Sequence, residues 1–191
     1  MDEYKTIAAP AEGTFTEQRS KFLAFAMPVQ TAEQARECVA DCRKKYYDAR
    51  HVCWAYVLGA DRTEFRANDD GEPSSTAGKP ILGVINSNEL TDILILVVRY
   101  FGGVKLGTGG LIAAYRAAAQ AAIANAQVIT KTAEETITIT FDYEQLNSVM
   151  RIVKDEQLQI LSQNFDTVCE MTLRVPRSGV EDLKKQVGKF N

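Results

Sequence analysis

The residues able to do chemistry gather in two short stretches. In the first, three carboxylates, Asp69, Asp70 and Glu72, fall within four positions around Gly71 and ahead of Pro73. Carboxylates this close repel one another, so they stay solvated or meet a cation, either Mg²⁺ or a basic side chain. The plainer alternative is an acidic turn that caps the helix behind it. The second stretch, residues 99–110, carries the cations Arg99 and Lys105 and the glycines Gly102, Gly103, Gly107, Gly109 and Gly110. It follows an apolar run and opens a helix, the placement in which free backbone N–H groups hold phosphate. Lys79 adds a further cation behind the acidic stretch. Tyr100 and Phe101 offer rings for stacking on bases, although only one of two neighbours on a strand end faces inward. No nucleotide fingerprint fits: GxxxxGK[ST] is missing, and Ile112 stands where GxGxxG begun at Gly107 needs its last glycine.

His51 and Cys53 lie two apart, on one face if the segment is a strand. They are a candidate Cys/His pair, with His51 the single histidine and so the only imidazole base available. The alternative is a sheet face packed under a helix. Cys38 and Cys42 with His51 and Cys53 match no common zinc-finger spacing, and cysteines four apart on an apolar stripe usually belong to a core. No catalytic residue is assigned beyond His51, and no metal beyond Mg²⁺ at Asp69, Asp70 and Glu72.

Charge narrows the function classes. In 191 residues, 22 basic side chains stand against 25 acidic ones, a net charge of −3 that argues against bulk coating of nucleic acid. The acids are uneven: none occurs from Ile93 to Ala133, where Arg99, Lys105, Arg116 and Lys131 fall. An anion contact belongs in that local basic island. The longest apolar run is Ile93–Val98, far short of a membrane span, and the N-terminus lacks a signal-peptide pattern. A cytoplasmic protein is expected, with no membrane partner and reduced cysteines.

Hydrophobic periodicity supplies the elements that position these residues. Strands are expected at 22–29, 51–58, 64–67 and 92–100, the last buried on both faces. Thr31 and Gln34 form a capping box for a helix to Tyr46. A second helix is expected at 77–86, with Pro80 in its first turn, and an alanine-rich third at 111–126. Beyond a composition shift near residue 130, the pattern reads strand 136–143, helix 143–154, strands 157–165 and 167–175, and helix 179–187. This is β-α-β-β-α, one strand short of a ferredoxin-like unit. Two α/β domains, 1–130 and 131–191, make an α+β protein.

The motifs together resemble the YigZ/IMPACT family. The resemblance rests on Ala49-Arg50-His51 with Cys53, Ala55 and Tyr56; on residues 69–82 from Asp69-Asp70-Gly71-Glu72-Pro73 to Ile81-Leu82; and on Arg99-Tyr100-Phe101-Gly102-Gly103, Lys105-Leu106-Gly107 and Gly109-Gly110-Leu111 with Ala114-Tyr115. Ser20-Lys21-Phe22 fits as well. It implies an N-terminal α/β sandwich of the ribosomal-protein second-domain type, a sheet with helices on one side. It also implies a C-terminal ferredoxin-like domain similar to the end domain of elongation factor G. Eukaryotic members are implicated in translational control, competing for the activator of a kinase of a translation initiation factor. No established enzyme activity comes with the family. One departure is Ser75, where the family's Ser-Gly-Thr-Ala-Gly run carries glycine.

The expectation is a translation-associated protein that is more binder than enzyme. Its partner would be RNA or a ribosomal or translation-factor partner, without DNA specificity. Two alternatives stand beside it: a Mg²⁺-dependent enzyme on a phosphorylated small molecule, with His51 as acid/base, and a pure protein-interaction module.

Overall fold

A computed structural model describes residues 2–188. The chain divides into two compact units, one of residues 4–131 and one of residues 132–191 with the first three residues. The protein is α+β, with antiparallel sheets and five α-helices among the described residues.

In the larger unit, β1 (Glu3–Ile7) is followed by β2 (Ala11–Glu17), β3 (Ser20–Pro28), α1 (Ala32–Lys45), β4 (His51–Leu58) and β5 (Glu64–Asn68). Then come α2 (Gly78–Ser87), β6 (Ile93–Tyr100), α3 (Gly107–Ala124) and β7 (Val128–Thr132). Five strands form one antiparallel sheet in the order β2-β3-β6-β4-β5, and β1 pairs with β7. β6 takes the central position because nearly every residue in it is apolar. Its Ile93, Ile95 and Val97 face α2 and α3, while Leu94, Leu96 and Val98 face α1. Each such side chain contributes about 1.5–3 kcal/mol when fully buried.

Helices therefore cover both faces of this sheet, not one. α1 needs its own floor because Ala35, Val39 and Cys42 form an apolar stripe; Val52, Trp54 and Tyr56 of β4 supply that floor. Thr31 caps α1, accepting from the Gln34 N–H at 3.1 Å. Gln34 in return accepts from Gln30 N–H at 2.7 Å, one residue earlier than a strict capping box. On the other face α3 lies so close to β2 that a Cβ on Gly13 would meet the backbone of Ala121. The alanines of α3 serve that close approach.

α3 begins at Gly107, not Leu111, so three of the five expected loop glycines form its first turn. Strands β1, β2 and β7 carry no periodic apolar pattern strong enough to foretell them. β2 alternates only weakly and is half exposed.

The smaller unit runs β8 (Glu134–Phe141), α4 (Leu146–Asp155), β9 (Gln159–Phe165), β10 (Cys169–Pro176) and α5 (Val180–Gly188). A single 3₁₀ turn, Tyr143–Gln145, leads into α4, and Asp142 with Gln145 closes a capping box there. The strand order is β8-β10-β9, antiparallel throughout. Ile139, Phe141, Met171 and Leu173 pack one sheet face against Val149, Val153 and Leu183. α5 is the last element among the described residues.

Candidate functional site

The acidic stretch and the glycine stretch meet at one end of the large sheet. β4 carries His51 and Cys53 toward the α3 side, and β6 pairs with β4 in a register that sets His51 opposite Arg99. The loop after β5 folds back over this pair, so Glu72 enters the protein between His51, Arg99 and Tyr115 of α3.

Glu72 is the centre of the arrangement and is 3% exposed at its side chain. One terminal nitrogen of Arg99, Nη1, lies 2.8 Å from Oε1 and 2.7 Å from Oε2. The Tyr115 hydroxyl donates to Oε2 at 2.6 Å. His51 Nε2 is 3.1 Å from Oε1. Nδ1 of the same ring is 2.7 Å from the Asp70 carbonyl oxygen, which only accepts, so Nδ1 bears a proton. Nε2 is thereby left facing the Glu72 carboxylate. Behind this layer, Cys53 Sγ sits 3.1 Å from the Asp69 carbonyl oxygen and 3.3 Å from the Tyr115 hydroxyl. Burial first, and then the neighbouring Cys53 and Glu72, push the Tyr115 phenol up. Burial likewise pushes the Cys53 thiol far up, against a lowering by its bond to Tyr115. Cys53 is thus an inert thiol facing tyrosine, not half of a Cys/His pair.

The three carboxylates are divided among separate partners. Asp69 Oδ1 accepts from the N–H groups of Ala77 at 3.2 Å and Gly78 at 2.8 Å, the residue before α2 and the first residue of α2. Its Oδ2 takes the Ser75 N–H at 2.8 Å. Asp70 pairs with Arg43 at 2.9 Å and accepts from Val52 N–H at 2.7 Å. Glu72 is saturated as described. Asp69 is the helix cap that the plainer sequence reading allowed, and a carboxylate reached across eight or nine positions replaces the usual adjacent one. Among the described residues no three His, Cys, Asp or Glu side chains are grouped to hold a metal ion. These donors do not fit the Mg²⁺ expected at Asp69, Asp70 and Glu72.

In front of Glu72 opens a cleft of about 420 Å³. Arg50, His51, Glu72 and Arg99 line it together with Phe101 and Lys105. Gly107 and Thr108 join them where α3 starts. Among the described residues no side chain caps α3, and its first turn holds no acidic residue, so its leading N–H groups carry no neutralising charge. The Phe101 ring is 38% exposed and carries two guanidinium groups, Arg50 at 5.2 Å and Arg99 at 5.6 Å from its centroid. Nε of Arg99 is buried without a hydrogen-bond partner among the described residues.

The expected anion-binding residues separate into groups. Lys105 and Gly107 line the cleft, and Gly109 and Gly110 complete the first turn of α3 behind it. Gly102 is required by packing, since a Cβ there would meet the backbone of Arg19. Gly103 supplies a turn at φ +92°. Lys79 is exposed on α2, away from the cleft lining. Arg99 lines the cleft but spends its charge on Glu72. Of the two aromatic neighbours, Phe101 faces the cleft, while Tyr100 turns to the α1 side and donates to Asp48 at 2.9 Å. Sequence reasoning misses Arg50, Thr108 and Tyr115 as residues of the site. Tyr115 lies eight positions past Gly107, two turns along one face of α3, which is the signal that could have found it.

Known proteins resemble this chain over most of its length. Residues 18–123, which contain every residue of the cleft, match the family model of the Impact N-terminal domain. The chain is 34% identical over 172 residues to an IMPACT family member of Haemophilus influenzae, covering 89% of this chain and 84% of the relative. It is 30% identical over 193 residues to the IMPACT family member YigZ of Escherichia coli, covering 100% of this chain and 95% of that one. A crystal structure described as that of a hypothetical protein superposes with a TM-score of 0.75 at 30% identity, over 100% of this chain and 94% of the other. No helix among the described residues is long and apolar enough to cross a membrane. The chain belongs to the IMPACT family.

Proposed function

We propose that this protein binds RNA through the cleft at the start of α3 and acts in translational regulation from the cytoplasm. One observation carries the reading. The uncapped N-terminus of an 18-residue helix opens into a cleft whose lip bears Arg50 and Lys105, inside a protein of net negative charge. That is phosphate chemistry at one place rather than over a whole surface. The partly exposed Phe101 beside it gives a ring for stacking. Family membership supports the translational context, because the resemblance assigns eukaryotic members to translational control. A ribosome-associated RNA or translation-factor complex is the partner that fits both.

In this reading residues 1–130 are the IMPACT N-terminal domain, of the ribosomal-protein second-domain type. The strand order of β8, β10 and β9 is that of a ferredoxin-like sheet without its last strand, which supports a ferredoxin-like C-terminal domain in residues 131–191.

The test is a salt series of single-stranded RNA binding, followed by fluorescence anisotropy. Lys105→Ala with Arg50→Ala should weaken binding and lower the slope of log K against log salt by about 0.7 for each phosphate left unneutralised. An affinity and slope equal to wild type would remove the assignment.

A further inference from the structure

A second cleft, about 300 Å³, lies on the opposite face of the sheet, between α1 and the outer strands β4 and β5. Its floor is Trp54 and Tyr56, stacked nearly parallel at 5.7 Å and almost wholly buried. Val39 and the alanines of α1 form an apolar wall. Three guanidinium groups stand around it: Arg36 and Arg43 from α1, and Arg66 from β5. Arg43 is held by Asp70 at 2.9 Å, while Arg66 lies over the Trp54 ring at 5.8 Å. Arg36 and Arg66 are exposed, and neither has an ion-pair partner among the described residues. Guanidinium forks of this kind match carboxylates.

The same place holds an open strand edge. Among the described residues β5 ends the sheet and pairs with β4 alone. Its Glu64, Phe65 and Arg66 are exposed, Phe65 to 61%. Strand alternation puts Arg66 on the α1 side, opposite Tyr56, and Phe65 on the other side, opposite Val57. An exposed phenylalanine on an unpaired edge invites a further strand.

We propose that this edge docks an extended acidic segment of a partner protein. The segment adds a strand beside β5. Its acidic side chains reach Arg36 and Arg66, and its apolar side chains, pointing the other way, cover Phe65. A peptide suits the site better than nucleic acid because the two rings are buried in the floor and offer no open face to a base. This site is separate from the α3 cleft and stands whether or not that cleft binds RNA.

Trp54 is the only tryptophan, so intrinsic fluorescence reports on the cleft directly. The full chain is titrated with a short synthetic peptide alternating glutamate and leucine, with its lysine–leucine counterpart, and with a single-stranded RNA oligonucleotide. Saturable change with the glutamate peptide alone is expected, weakened at least tenfold by Arg36→Ala with Arg66→Ala. Arg36→Glu with Arg66→Glu should transfer binding to the lysine peptide. Circular dichroism checks that the variants fold; should either fail to fold, the comparison of three ligands on the wild-type chain still decides. No response to the glutamate peptide, an equal response in the folded alanine variant, or a larger response to RNA would overturn the proposal.

Discussion

Glu72 and Arg99, 27 positions apart, are joined inside the protein by two hydrogen bonds of 2.7 and 2.8 Å to one guanidinium nitrogen. With side chains 3% and 6% exposed, neither charge has water to fall back on. Removing Glu72 leaves the Arg99 guanidinium buried and unpaired, which costs about 3–5 kcal/mol; removing Arg99 leaves Glu72 with only Tyr115 and His51. Arg99→Ala and Glu72→Ala should each lower the unfolding free energy, read from a lower urea midpoint, with Glu72→Ala losing an amount in that range. The double variant Glu72→Leu with Arg99→Met should lose less than the two single changes summed, because no buried guanidinium is left without its carboxylate. Two single losses that simply add in the double would mean the pair is not coupled.

Ser75 holds φ +64°, a conformation that L side chains disfavour by about 1–2 kcal/mol. Its N–H donates to Asp69 at 2.8 Å, a bond that needs no side chain. Ser75→Gly should therefore stabilise the protein by about 1 kcal/mol, read as a raised urea midpoint at unchanged slope. Ser75→Val should destabilise it. Ser75 is then a strained serine held by the loop around it.

Asp69 fixes that loop to α2 through three backbone N–H groups. Asp69→Ala removes a helix cap and should cost about 1–2 kcal/mol. Because its oxygens are already engaged, Mg²⁺ should leave the wild-type melting temperature where it is. A rise that is lost in Asp69→Ala would restore a metal role to the acidic stretch.

Much of this was legible in residue order alone, for a physical reason. The buried strand β6, the amphipathic α1 and the β4–β5 hairpin carry their fold in local periodicity, and His51 and Cys53 share a face because strands alternate. What stayed hidden depends on packing across the chain. Arg99 reads as a free cation until Glu72 folds back onto it, and nothing near Glu72 in sequence announces that. Asp69 caps a helix eight residues away through a loop with two consecutive positive φ angles, at Asp70 and Gly71. β1, β2 and β7 lie at edges where half-exposure blurs the alternation, so only pairing defines them.

The thiols offer a probe of the two sheet faces. Burial pushes Cys42 up from 9.0 to about 11 and Cys53 higher still. Cys38, also raised by burial, is the most accessible of the three. Iodoacetamide at mild alkaline pH should modify Cys38 first and reach Cys42 and Cys53 only in denaturant. The linkage has a definite sign. Between pH 9 and 11 the unfolded chain gives up thiol protons that folded Cys42 keeps, so stability is full below that window and falls as pH rises through it. Cys42→Ser should flatten that fall. Early alkylation of Cys53 would mean the layer behind Glu72 opens readily.

Gly109 separates the needs of folding from those of binding. It sits in the first turn of α3, and a Cβ there would meet nothing within 4 Å. Replacing a helical glycine by alanine relieves backbone entropy worth about 0.5–1 kcal/mol. Packing therefore does not ask for a glycine, in contrast to Gly102, whose Cβ would strike Arg19. A phosphate held by the leading N–H groups of α3 must approach that turn closely, and a methyl group within the turn hinders the approach. Gly109→Ala should raise the urea midpoint and weaken RNA binding together, whereas Gly83→Ala, in α2 with equally open surroundings, should raise stability and leave binding as it was. Equal RNA affinity in both variants would place the phosphate elsewhere than at the start of α3.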